Sequence, residues 1–97
     1  MKFIIQGPFK ENTNNLMRGL GYRFLGQEKD EMNYIRTPGA NDYPRFHVYL
    51  KTENNALVFN LHLDQKRPVY QGATAHAGEY DGELVENEAQ RIKQLIN

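Results

Sequence analysis

Arg45-Phe46-His47-Val48-Tyr49-Leu50-Lys51 and, after Thr52-Glu53-Asn54-Asn55-Ala56, Leu57-Val58-Phe59-Asn60-Leu61-His62-Leu63-Asp64 form the stretch whose reading decides the fold. The first run alternates polar and apolar residues without a break, and the second does so apart from Val58. A period of two means strands, each with one wet and one dry face. Asn-Asn tolerates the positive φ values that a two-residue primed turn demands, and that turn fixes the register. With Asn54 and Asn55 at the tip, Phe46 faces Leu63, Val48 faces Leu61 and Leu50 faces Phe59 on the dry side. The wet side then pairs Arg45 with Asp64, His47 with His62 and Tyr49 with Asn60.

Working outward, Tyr22-Arg23-Phe24-Leu25-Gly26-Gln27 and Glu31-Met32-Asn33-Tyr34-Ile35-Arg36, joined by Glu28-Lys29-Asp30, read as an earlier hairpin. Tyr22, Phe24 and Tyr34 fall on one of its faces and Leu25 and Ile35 on the other. Residues 37–42 carry Pro, Gly and Asn and predict a loop. Phe9, Thr13, Leu16, Met17 and Leu20 recur at helical spacing before Gly19-x-Gly21, which predicts a helix over roughly 10–20 ended by glycine. Phe3-Ile4-Ile5, stopped by Gly7-Pro8, gives a short strand or an anchored terminus. Residues 65–79 are irregular, and a long unstructured stretch in a small domain is often functional. The last segment is helical: Val85, Ala89, Ile92 and Ile96 form its stripe, widened by Leu84 and Leu95. Asp81 is the expected N-cap, with acidic residues early and basic residues late. The order predicts one compact α+β domain spanning 1–97, a four-stranded antiparallel sheet of two hairpins with two helices packed on one face.

Composition removes whole classes of chemistry. The 97 residues contain neither Cys nor Ser, so disulfides, thiolate ligands, thiol nucleophiles and serine hydrolysis are excluded. Twelve basic and twelve acidic residues cancel, which argues against nucleic-acid or membrane binding through bulk charge. The amino-terminal apolar run is far too short for a signal peptide or a membrane span, and a cytoplasmic protein is expected.

The remaining chemistry converges on three histidines. His47 and His62 are expected cross-strand neighbours with Cβ atoms about 4.5–5.5 Å apart. His76 comes from the adjoining loop with Glu79 three residues on, while Arg45, Tyr49, Asn60 and Asp64 share the wet face and Lys66 and Arg67 follow it. One reading is metal-free: His47, His62 and His76 divide acid and base roles on a small or phosphate-bearing ligand. Arg45, Lys66 and Arg67 then supply charge, Asp64 orients His62 or Arg45, and Tyr49 and Asn60 add hydrogen bonds. A second is a zinc site using His47, His62 and His76 with Asp64 or Glu79, although spacings of 15 and 14 residues match no established motif. A third is a non-catalytic interaction module or homodimer using the aromatic side of the first hairpin. Against all three stands the ordinary solvated sheet face, which carries polar residues without any ligand.

PRFHVYLK, FNLHLDQKRP, AHAGEYDGE and NEAQRI, within residues 43–92, resemble a group of short bacterial proteins with no known activity. The resemblance implies a bacterial origin and assigns no role to any residue.

Overall fold

In a computed structural model of the chain, the structure describes residues 1–65, 78–79 and 82–96. The elements are β1 (Lys2–Gln6), α1 (Thr13–Gly19), β2 (Arg23–Glu28), β3 (Glu31–Arg36), β4 (Arg45–Glu53), β5 (Ala56–Asp64), β6 (Gly78–Glu79) and α2 (Glu83–Leu95). The expected α+β class, antiparallel sheet and two helices are present. The four-strand count is corrected: five main strands run in the order β1-β5-β4-β3-β2, and the two-residue β6 pairs with β5. The fifth is the amino-terminal run, with Phe3 opposite Phe59 and Ile5 opposite Leu57. Phe3 and Phe59 stack at 4.9 Å, so the terminus is held by aromatic packing as well as by the ladder.

The central hairpin has the register that alternation and the Asn-Asn turn dictate. Asn54 and Asn55 adopt φ values of 48° and 68°, and Phe46, His47, Val48 and Leu50 lie opposite Leu63, His62, Leu61 and Phe59. Phe46, Val48, Leu50, Phe59, Leu61 and Leu63 form one buried cluster with Met17 and Leu20 from the α1 region and with Val85, Ala89, Ile92 and Ile96 from α2. Both helices therefore cover the same sheet face. β5 departs from the simple wet-and-dry picture, because β1 and β4 flank it along most of its length. Val58 and His62 are buried although they sit on the face away from the helices.

Both helix ends refine the sequence reading. α1 starts at Thr13 rather than near residue 10, because the Asn12 side chain accepts from the Asn15 N–H at 2.9 Å and acts as the cap. It stops where expected: Gly21 takes φ 94°, and the N–H groups of Gly21 and Tyr22 donate back to the carbonyls of Arg18 and Met17. Gly82, at φ 121°, occupies the N-cap position of α2, while the proposed cap Asp81 lies outside the described residues. Leu84 and Leu95 do not widen the buried stripe; they are exposed. No helix among the described residues is long and apolar enough to cross a membrane.

Gly7 is held by close approach. Its N–H donates to the Asn55 carbonyl at 2.7 Å, and an added Cβ would stand 2.5 Å from that oxygen and 2.8 Å from the Phe9 ring. Relieving such a clash costs about 1–3 kcal/mol. A Gly7→Ala variant is accordingly expected to lose roughly 4–8 °C of thermal midpoint per kcal/mol. An unchanged midpoint would show that the strand end yields freely to the hairpin tip.

Candidate functional site

The cluster is built by the ladder itself. Because β4 and β5 pair antiparallel with Arg45 opposite Asp64 and His47 opposite His62, all four side chains leave the sheet on the face away from the helices. The two imidazole centroids lie 4.8 Å apart. Tyr49, one pleat further along β4, stacks on His47 at 4.4 Å and lies nearly parallel to His62 at 5.6 Å. Three rings thus form a packed plate whose next neighbour is the Asp64 carboxylate.

Asp64 joins the group. Its Oδ1 lies 3.1 Å from His62 Nε2, and its Oδ2 lies 3.5 Å from His47 Nδ1 and 3.6 Å from Arg45 Nε. Burial alone would push this carboxyl up, but hydrogen bonding to both imidazoles and their charge outweigh it, holding the group well below the usual carboxylate range. An ionised carboxylate only accepts, so the ring nitrogens facing it carry hydrogen. In a neutral His47 that leaves the lone pair on Nε2, a buried atom with no hydrogen-bond partner among the described residues. Arg45 is engaged twice, by Asp64 and by the Tyr43 ring 4.7 Å below its guanidinium.

The expected site is therefore reproduced in part. His47, His62, Arg45, Tyr49, Asn60 and Asp64 emerge on one face, and Asp64 meets His47, His62 and Arg45 together rather than one of them. His76, Lys66 and Arg67 lie outside the described residues, and Glu79 is described only through its backbone pairing with Leu63. That pairing returns the chain alongside Leu63 and Asp64, at the end of the sheet that holds the cluster.

The chain matches no protein-family model, no curated protein and no solved structure. His47, His62 and Asp64 each offer a donor atom within 4.8 Å of the other two. Zinc holds imidazole nitrogen and carboxylate oxygen at about 2.0–2.2 Å, so neighbouring donors of a tetrahedral ion stand roughly 3.3 Å apart. The separations of 3.1 and 3.5 Å from Asp64 belong to different oxygens, so each imidazole faces its own carboxylate oxygen.

Two residues escaped the sequence reading. Asn33 of β3, opposite Tyr49, shares this face and has a buried Oδ1 with no partner among the described residues. Glu88 is buried on the helix side, where Tyr22, Arg36 and Arg91 converge on it. Its signal was available: Glu88 stands three residues after Val85, on the stripe that otherwise carries Ala89 and Ile92. Asn33 gave no comparable sign, because its neighbours on β4 depend on a register that a long loop does not fix.

Proposed function

We propose that the polar sheet face binds a small ligand and that His47, oriented by Asp64, exchanges a proton with it. One observation carries this reading: the two oxygens of a single carboxylate are divided between two imidazoles, and the far nitrogen of His47 is buried without a partner among the described residues. A carboxylate on one ring nitrogen selects the tautomer whose other nitrogen accepts a proton and stabilises the imidazolium that forms. In hydrolysis, water would give a proton to His47 Nε2 as its oxygen bonds to the scissile centre, and the leaving group would take a proton back from the ring. Arg45 already answers Asp64, so phosphate-bearing ligands depend on the charge of Lys66 and Arg67. Tyr49 and Asn60 border the bound molecule.

The second reading, a zinc site of His47, His62 and Asp64, is favoured by the gathering of one donor atom from each within 4.8 Å. His76 or Glu79 would complete it, and the ion would supply a Lewis acid or an activated water. The two readings differ in where the imidazole hydrogens go. Long-range nitrogen–proton NMR on the labelled full chain reads each tautomer directly. The metal-free site predicts His47 protonated on Nδ1, displacement from that form in Asp64→Asn, and no ring shifts saturating at one equivalent of zinc. Saturation of His47 and His62 at one equivalent would favour the metal. Protonation of His47 on Nε2 in the wild type, with neither zinc nor inorganic phosphate moving the rings, would leave an ordinary polar face.

A further inference from the structure

Asn33 Oδ1 and His47 Nε2 are both buried and without a partner among the described residues, and their residues line one open groove together with Leu25, Gly26, Gln27 and Glu28. The groove owes its shape to a register shift. β2 slips against β3 between Phe24 and Gly26, so Gly26, which carries no side chain, comes to lie opposite Asn33. A Cβ at Gly26 would meet nothing within 4 Å, which means the space over Asn33 is open because of the residue type there. Asn33 in turn lies opposite Tyr49, the ring stacked on His47, so Asn33 and His47 come together along the same depression.

The unpartnered buried atoms of the groove residues call for donors. Asn33 Oδ1 accepts, and the Glu28 carboxylate at the rim accepts. His47 Nε2 accepts as well, a step that rests on the proposal that Asp64 fixes its tautomer. Gln27 has a donor, but its Nε2 is directed to the Lys29 carbonyl at 3.2 Å. A carboxylate or phosphate would meet acceptors here. A flat group with several N–H donors would meet complementary partners, and positive charge on it would be answered by Glu28.

We infer that this groove is a subsite for a guanidinium or amidinium group of a small ligand, held by Asn33 Oδ1 and His47 Nε2 between the β2 bulge and the ring plate. Methylguanidine is the probe. Titrated into the labelled full chain, it is expected to give saturable shifts at the Asn33 side-chain amide and the His47 ring, whereas inorganic phosphate gives none at Asn33. Gly26→Val places a side chain where a Cβ would meet nothing within 4 Å, and Asn33→Leu removes the acceptor. Each should weaken methylguanidine binding about tenfold or more, the cost of one charge-assisted hydrogen bond. Because Gly26 has room for a Cβ, its variant keeps the fold, and retention of the His47 tautomer confirms that the neighbouring site is intact. Absence of saturable shifts, or equal binding by Gly26→Val, overturns the subsite. If His47 is protonated on Nδ1 while methylguanidine fails to bind, only the subsite falls; if it is protonated on Nε2, the proton-exchange reading falls with it.

Discussion

Replacing Glu88 by Gln is expected to cost about 3–5 kcal/mol, the range for breaking a buried ion pair by removing one partner. Glu88 is 3% exposed, on the face of α2 that meets the sheet. Its Oε1 accepts from Arg36 Nη2 and Arg91 Nε, both at 2.9 Å, and its Oε2 accepts from the Tyr22 hydroxyl at 2.6 Å, Arg36 Nε at 3.0 Å and Arg91 Nη2 at 3.1 Å. Arg91 also donates to the Leu20 carbonyl at the end of α1. One carboxylate therefore ties α2 to the end of β3, the start of β2 and the other helix. An amide in its place offers one oxygen instead of two and turns a donor toward guanidinium groups. Arg36 and Arg91 keep some contact with water, which places the loss toward the lower end of the range. Tyr22→Phe removes one hydrogen bond and leaves the charges paired, so its cost should be nearer about 1.5 kcal/mol. Urea unfolding of the three proteins checks the order. A Glu88→Gln loss no larger than that of Tyr22→Phe would mean that the apolar stripe, and not the ion cluster, fixes α2.

What could be read in the sequence divides along a physical line. Register was legible wherever a short turn sets it: Asn54-Asn55 leaves no freedom between β4 and β5, so the His47–His62 pairing follows from parity alone. It was not legible across long connections. β1 reaches β5 after about fifty intervening residues, and β3 reaches β4 through an eight-residue loop, so neither the fifth strand's position nor Asn33's neighbours could be derived. The slip between Phe24 and Gly26 is another such case, because alternation in a six-residue strand does not announce an extra residue. The histidine pair was visible because it depends on local pattern. Its engagement by both oxygens of Asp64 was not, since side-chain rotamers decide whether a diagonal carboxylate reaches one ring or two. Glu88 was visible as a charge on an apolar stripe, but its role was not, because its partners Tyr22 and Arg36 lie far away in the chain.

Acid should expose both carboxylates in the same experiment. Burial raises the carboxyl of Glu88, but hydrogen bonds from Arg36, Arg91 and Tyr22 outweigh it and leave the group below its usual range; Asp64 is lowered more strongly by His47 and His62. A carboxyl lowered in the folded chain contributes stability that is fully present above its unfolded value, about 3.9 for Asp and 4.3 for Glu, and is lost as pH falls through the folded value. Within that window the unfolded chain holds one more proton per group, so each contributes a slope of about 1.4 kcal/mol per pH unit. Stability at pH 7 and pH 5 should therefore differ little on account of these two groups and decline steeply below about pH 4. Asp64→Asn and Glu88→Gln should each flatten the decline, and the pair together should flatten it most. Their separate effects should add, because Asp64 and Glu88 share no hydrogen-bond or ion-pair partner among the described residues. Urea midpoints measured from pH 5 down to pH 2.5 supply the slopes. If Asp64→Asn leaves the slope unchanged, the carboxylate is not held by the two imidazoles in solution, and the tautomer on which proton exchange at His47 depends loses its cause.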